Sequence, residues 1–429
     1  MIRILIIGSG GREHAIVWSL HKTSSRPIEI FCAPGNAGIA QTAQVLNVPV
    51  NDHATLANFV EAEKIDLTFV GPEAPLAAGI VDFFVEKGLR VIGPSAAAAR
   101  LEGSKVFAKD FMARHRIPTA DFRAAESPEE ALKSLRSGEF GSEDEPVVIK
   151  ADGLAAGKGV VVAANRSEAE QAVEDLMVRH VAGREAAERV VVEKALRGRE
   201  ASLLVFADGR DYVVMPAARD HKRIGENDTG PNTGGMGTIT DSTVLERSVE
   251  EQVVREIVEP TLLGAAAEGF AFKGVLFLGL MLTRDGAKLL EYNVRFGDPE
   301  TQAILVRLET DLLSVFEAIH TQTLGDLRVS WAEGASACVV AANKGYPGKY
   351  ETGGVIEGLK KVAEGVQVFH AGTGVDTEGR FIATGGRVLG VTAAAENLST
   401  ALGLCYESLG RIHWPGIQFR RDIGRSAVS

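Results

Sequence analysis

The chain has 429 residues, 45% hydrophobic and 24% charged, a globular composition too long for one ordinary core and suggesting about three domains at roughly 150 residues each. A formal net charge of -11 and a pI of about 5.5 exclude a general nucleic-acid or acidic-membrane binder, while leaving room for a local basic pocket. No apolar run reaches the length of about 18 residues needed to cross a bilayer, and the three cysteines, Cys32, Cys338 and Cys405, are far apart without zinc spacing, as expected of buried thiols in a reducing cytosol.

After Met-Ile-Arg the chain enters a strand at residues 2–7 without a signal-type apolar segment, so a cytoplasmic protein is expected. Strand-like runs at 28–32, 67–70 and 90–92 alternate with helical patterns at 12–21, 55–63 and 76–87, a rhythm that predicts a parallel sheet with helices on both faces. Each strand ends in a glycine or proline loop, and ligands of such sheets bind beyond the carboxyl ends of the strands, so these loops form a first candidate pocket. A helix over 105–115 leads to a second unit opening near Ile117 and Pro118. That unit reads as a polar surface loop at 137–145, strands at 147–150, 160–163 and 189–193, and an amphipathic helix over about 167–180. Strands dominate from 201 to 307, interrupted by a long glycine-rich loop at 224–237 and a helix at 249–264; loops that long are functional or disordered. Beyond Asp326, strand-sized runs such as 337–341 and 387–392 are separated by many glycines. The expected class is α/β, in part α+β, with domains at 1–104, 105–325 (a flap subdomain at about 118–192) and a strand-rich 326–429.

Chemistry concentrates first in Glu291-Tyr-Asn-Val-Arg-Phe-Gly-Asp-Pro-Glu300. Strand alternation places Glu291 and Asn293 on one side and Tyr292 and Val294 on the other. A carboxylate beside an amide oxygen suits a hard cation that takes its remaining ligands from phosphate and water, and Arg295 supplies a planar fork for a phosphoryl group or oxyanion. The turn Gly8-Ser-Gly-Gly-Arg-Glu-His14 invites a dinucleotide reading, which fails because Glu13 stands where a glycine or alanine is needed and no ribose-binding acid ends the second strand. A phosphate or sugar phosphate near Gly10, Gly11 and Arg12 is the better expectation, with His14 packed inside. In Asp152-Gly-Leu-Ala-Ala-Gly-Lys-Gly159 the spacing excludes a Walker loop: three residues separate Gly153 from Gly157, glycine follows Lys158, and a strand comes next. The alternative is a glycine flap, Gly157, Lys158 and Gly159, lying over nucleotide phosphates that Lys150 also reaches. The extended run from Val190 through Glu193, Ala195, Leu196 and Glu200 reads as an adenine hinge, and the glycines of 228–237 allow close backbone approach to a ligand.

Together these segments resemble the ATP-grasp enzymes, and within them the phosphoribosylamine-glycine ligase family. The resemblance is nearly full length, running from Gly8–His14 and Val70-Gly-Pro-Glu-Ala-Pro-Leu76 through Glu102-Gly-Ser-Lys105, Asp220-His-Lys222, 228–237 and 295–300. It continues into Gly345-Tyr-Pro-Gly348, His370-Ala-Gly-Thr373 and Gly385-Gly-Arg-Val-Leu389. Arg219, where the family usually has glutamine, and Thr238–Thr243, where it has a tyrosine and proline-rich segment, depart from the pattern.

The resemblance implies an ATP-dependent ligation of glycine to 5-phosphoribosylamine through glycyl phosphate, giving glycinamide ribonucleotide; a ligase of the same fold with another acceptor is the alternative. It implies Glu291 and Asn293 for magnesium or manganese, and Lys109, Lys150, Gly157, Lys158, Gly159, Glu193, Ala195, Leu196 and Glu200 for ATP. Arg295, Asp220 and Lys222 would be catalytic. The substrate wall would be Gly10, Gly11, Arg12, Glu73, Asn232, Thr233, Gly234, Gly235, Gly297, Asp298, Pro299 and Glu300. A monomer acting on small molecules, with no nucleic-acid or membrane partner, is expected.

Overall fold

The computed structural model describes residues 1–155 and 159–425. The strand Ile2–Gly8 is apolar on both faces and its residues Ile4 to Ile7 are fully buried, as a parallel strand covered by helices on either side requires. It is the middle of a five-stranded parallel sheet in the order Gln44–Val45, Ile28–Pro34, Ile2–Gly8, Leu67–Val70, Val91–Ile92. Alternation divides the core: Ile4, Ile6 and Phe69 pack with Ile16, Val17 and Leu20 of the helix Gly11–Thr23. Leu5, Ile7 and Val70 pack with Leu56, Val60, Ile80 and Phe84 on the other face. The single helix expected at 76–87 is two, Glu73–Ala77 and Ile80–Glu86, because Gly79 takes a left-handed φ of +82° between them. Strand order reverses beside Ile2–Gly8, and the turns after Gly8 and Val70 meet there, the position where such sheets bind ligands.

The flap region forms its own four-stranded antiparallel sheet, ordered Phe122–Ala125, Val190–Lys194, Val147–Ala151, Val160–Ala163. Its separate core includes Leu135, Phe140, Ile149, Val173 and Val192. The helix Pro128–Arg136, absent from the reading above, carries full terminal signals: Ser127 accepts from Glu130 N, proline opens the first turn, and Lys133 and Arg136 close the last. The helix expected at 167–180 covers Arg166–Val173 and continues as a wide π-type turn, Glu174–Val178. A second antiparallel sheet, ordered Tyr212–Val214, Arg199–Asp208, Lys273–Thr283, Gly286–Asn293, floors the cleft. The stretch expected as loop at 224–237 contains a two-stranded hairpin, Arg223–Gly225 with Thr229–Asn232.

The third sheet is ordered Arg219–Asp220, Gly237–Thr240, Ala335–Asn343, Arg387–Ala395, Gln367–His370, with Ile417–Gln418 pairing onto Ala335–Asn343. Two strands flanking the glycine-rich hairpin thus enter the sheet built by the last hundred residues. The helix Leu398–Leu409, not anticipated among those strands, packs on the sheet through Leu398, Ala401, Leu402 and Cys405. All three cysteines are free and buried. Among the described residues no helix is long and apolar enough to cross a membrane.

Candidate active site

A cleft of about 790 Å³ lies where the parallel sheet, the flap and the third sheet converge on the end of Gly286–Asn293. The alternation expected there holds: Tyr292 and Val294 are 2% and 1% exposed in the core, while Glu291 and Asn293 line the cleft. Burial alone would raise the Glu291 carboxyl, but Lys222, Lys105, Lys150 and Arg295 around it hold it below the ordinary range, so it is an anion at neutral pH. Among the described residues no group of three or more His, Cys, Asp or Glu could enclose a metal. One ionised carboxylate and one amide oxygen on an open wall do fit a magnesium-type ion that draws its other ligands from phosphate and water.

Behind this pair sits a buried lysine clasp. The Glu193 carboxylate lies 3.1 Å from Lys109 Nζ and 3.0 Å from Lys150 Nζ, with all three side chains at most 7% exposed. Lys109 also donates to Thr119 Oγ1 at 2.6 Å and Lys150 to Leu290 O at 3.1 Å. Two ammonium groups around one carboxylate leave a net positive charge on the cleft wall, suited to phosphate. Burial lowers Lys109 to about 8, with the Lys150 charge adding to that and Glu193 opposing it. Glu193, expected at a base edge, is therefore engaged by both lysines, while Ala195, Leu196 and Glu200 line the cleft beside it. Gly159 also lines it, packed so closely that a Cβ there would sit 2.7 Å from Ala155 Cβ. Gly157 and Lys158 lie outside the described residues.

Arg295 is held from two sides by carboxylates of the first domain. Its Nε is 3.1 Å from Glu73 Oε2 and its Nη2 is 3.0 Å from Glu102 Oε1. Glu102 also accepts from Val294 N at 2.8 Å. Burial pushes the Glu102 carboxyl up despite Arg295; Glu73, where burial pulls the same way, is nevertheless held low by Arg295 and Arg12. Glu102 was missed as a site residue, although it belongs to the quoted Glu102–Lys105 segment; nothing in local periodicity connects it with a position 193 residues further on.

On the opposite wall Glu200 pairs with Lys222 at 2.9 Å. Burial and the neighbouring Glu300 charge push Asp220 well up, and Glu300 is itself raised by burial. Asn232, Thr233, Gly234, Asp298, Glu300, Arg12 and Glu73 all line the cleft. Two further lining residues come from the last hundred and were not assigned to the site from sequence. Arg387 Nη2 lies 2.9 Å from Asp298 Oδ2 while its Nη1 donates to Asp298 O at 2.7 Å and to Gly234 O. Tyr346 OH accepts from Gly234 N at 2.9 Å. Both stand in glycine-flanked segments quoted above, which was the available signal.

Five residues expected on the substrate wall stand behind it. Gly10 N donates to Glu13 Oε2 at 2.7 Å, and Gly11 packs against Gln302. Gly235, with φ +107°, packs on Pro299, and Gly297 packs on Glu300. These glycines and Pro299 let the backbone turn tightly behind the lining side chains. His14 is a packed residue, as expected: it accepts from His370 N at 2.8 Å, and burial, with the neighbouring His370, lowers it to about 3.

Three family models cover most of the chain: Phosphoribosylglycinamide synthetase N domain over residues 2–102, ATP-grasp (A) domain over 103–301 and C domain over 336–426. The Phosphoribosylamine--glycine ligase of Pseudomonas aeruginosa is 47% identical over 433 residues, covering 100% of this chain and 99% of that protein. That of Caldanaerobacter subterraneus is 44% identical over 422 residues, covering 98% and 99%. The crystal structure of the Thermotoga maritima Phosphoribosylamine--glycine ligase superposes with a TM-score of 0.84 at 35% identity, covering 98% of this chain and 100% of that one. With its ATP-grasp region, its parallel-sheet first domain and its third sheet all matched, the chain belongs to the phosphoribosylamine-glycine ligase family of ATP-grasp enzymes.

Proposed function

We propose that this cleft activates glycine with ATP and joins it to 5-phosphoribosylamine, giving glycinamide ribonucleotide, ADP and phosphate. The observation that carries the reading is the meeting, in one cleft, of the ionised Glu291 beside Asn293, the Lys109–Glu193–Lys150 clasp and the doubly braced Arg295.

In the first step a glycine carboxylate oxygen attacks the γ-phosphorus, the bond to the β–γ bridging oxygen breaks, and ADP leaves. Lys109 and Lys150 bind the phosphates, and Arg295 faces the transferring group; such charge neutralisation and positioning supply most of phosphoryl-transfer catalysis. Glu291 and Asn293 would hold magnesium or manganese, which when bound neutralises charge on the terminal phosphates. In the second step the amine nitrogen attacks the glycyl carbonyl, phosphate leaves, and the nitrogen loses a proton. The raised Asp220, beside Glu300, is the group on the acceptor wall suited to take that proton. The flap closes over ATP to keep water from the acyl phosphate.

Finer readings accompany this one. Three buried free thiols support a cytoplasmic location. Of the division at 1–104, 105–325 and 326–429, the first unit is supported by its own parallel sheet and the flap subdomain by its separate core, while one sheet joins strands from both sides of 326.

Hydroxylamine trapping tests the proposal. Glycine hydroxamate should form only with ATP and glycine together, and Glu291→Gln should reduce it by about 10²-fold or more. ADP release that does not require glycine, or equal trapping by wild type and variant, would sink the reading.

A further inference from the structure

The hairpin that carries the substrate wall has contacts of its own, Arg223 Nη1 to Gly230 O at 2.7 Å and Thr229 Oγ1 to Glu226 O at 2.8 Å, and is also held from outside. Its turn places two consecutive non-glycine residues, Asn227 and Asp228, in the left-handed region at φ +54° and +52°, which Asn and Asp visit as single residues rather than in succession. Both are gripped from a segment almost two hundred residues away. Asn227 N donates to Asp422 Oδ2 at 2.7 Å, and Arg420 Nη1 donates to Asp228 Oδ1 at 2.7 Å and to Arg223 O at 3.0 Å. Asp422 fixes that guanidinium through a second pair of contacts at 2.8 and 2.9 Å. The Arg420 side chain is only 2% exposed, although its partner Asp228 is 68% exposed.

The same segment reaches the hairpin's root. Gly424 N donates to His221 Nε2 at 3.1 Å, while His221 Nδ1 donates to Gly237 O at 3.1 Å, a pattern that only the neutral imidazole can make. At that root Thr233 donates twice to Lys222 O, at 2.8 Å from N and 2.7 Å from Oγ1, locking together two cleft-lining residues. The strap is anchored in its turn by Tyr406, whose hydroxyl donates to Arg420 O and accepts from Ile423 N, both at 3.1 Å.

We propose that residues 420–424 form a strap, with Arg420 and Asp422 as positioning residues, that holds the 221–233 hairpin in the conformation presenting Lys222, Asn232 and Thr233 to the acceptor amine and glycine. It rests on the reading that these residues form the substrate wall. Neither strap residue lines the cleft, so their influence passes through the hairpin, and the lysine clasp that meets ATP is built on other elements.

The test compares Arg420→Gln, Asp422→Asn and Asn232→Ala with wild type. Steady-state kinetics are varied in each substrate, and trypsin cleavage after Lys222 and Arg223 is followed by mass spectrometry. Arg420→Gln and Asp422→Asn should each raise KM for phosphoribosylamine or glycine about tenfold, the equivalent of one lost charged hydrogen bond. The KM for ATP should stay within about twofold, and cleavage at the hairpin should be faster. Asp422→Asn keeps the side-chain volume, so it decides the matter even if Arg420→Gln does not fold. If both strap variants match wild type while Asn232→Ala raises the substrate KM, the strap falls and the substrate wall stands. A parallel rise in the KM for ATP overturns the strap in favour of general loosening. If Asn232→Ala changes neither substrate KM, the wall reading falls and the strap with it.

Discussion

Glu102 sets a measurable conflict between stability and activity. Its carboxylate lies 3.0 Å from Arg295 with side chains 8% and 17% exposed, where the attraction would be about 5 kcal/mol at an effective dielectric of 20. Yet burial raises the Glu102 carboxyl above its ordinary value while Arg295 is shifted up, toward its charged form. Arg295 draws that rise from Glu73 and Glu300 as well as Glu102, whereas the Glu102 carboxylate loses more to desolvation than Arg295 returns. Glu102 is the more buried of the two and ionises against its surroundings, so the pair contributes little net stability. Glu102→Gln removes that desolvation along with the attraction and keeps an acceptor for Val294 N. Its stability should stay within about 1 kcal/mol of wild type, while kcat falls about 10²-fold because Arg295 loses its inner brace. Glu102→Ala also strands Val294 N and leaves the guanidinium with Glu73 as its one remaining close carboxylate beside the neutral acceptors Phe296 O and Asn293 Oδ1, so about 3 kcal/mol of stability should go as well. The assay is ADP release under saturating substrates beside thermal midpoints. A Glu102→Gln protein that keeps kcat within twofold, or loses activity and stability in proportion, would refute the reasoning.

The lowered Lys109 predicts a pH dependence of ATP binding. ATP phosphates favour the ammonium form, so ATP affinity should fall as pH rises through about 8, where the free protein loses that proton. Binding near pH 8 should take up a proton, seen by calorimetry in buffers of different ionisation enthalpy; Lys109→Arg should abolish the uptake. Because the folded value lies below the unfolded one, the unfolded chain binds more protons above pH 8, and this residue makes stability rise from there toward about 10.4. At Gly71 a Cβ would meet Glu13 Oε1 at 2.1 Å. Gly71→Ala should therefore cost about 1–3 kcal/mol, whereas Gly403→Ala, on a helix with open space around it, should gain about 0.5–1 kcal/mol; denaturation midpoints check both.

What could be read from sequence was what repeats locally. The strands of the parallel sheet announce themselves as short apolar runs closed by glycine, and two-residue alternation placed Glu291 and Asn293 opposite Tyr292 and Val294 without knowledge of their neighbours. Among the lining residues that escape, Glu102 stands on the helix Ala96–Gly103, Tyr346 in a turn and Arg387 at the start of the strand Arg387–Ala395, and their partners lie 193, 112 and 89 residues away. No local period carries such pairings. Glycines in the turns were legible as tight backbone, but whether each faces the ligand or the chain behind it depends on packing, which is why Gly10, Gly11, Gly235 and Gly297 changed sides. The 224–237 stretch reads as loop because its strands are only 3 and 4 residues long and the turn between them draws on Arg420 and Asp422, far away in sequence.

Glu13 gives the first domain a particular character. Its carboxylate, 1% exposed, receives Gly10 N at 2.7 Å and Arg12 Nε at 2.6 Å, and glycine at positions 8 and 71 leaves the space it occupies. A helix N-terminus at the edge of a parallel sheet ordinarily waits for an anion from solution. Here the chain furnishes that anion itself, as a permanent internal ligand. Arg12, paired with that carboxylate on one flank and donating to Phe296 O at 3.1 Å, is left to meet the cleft as a fixed wall.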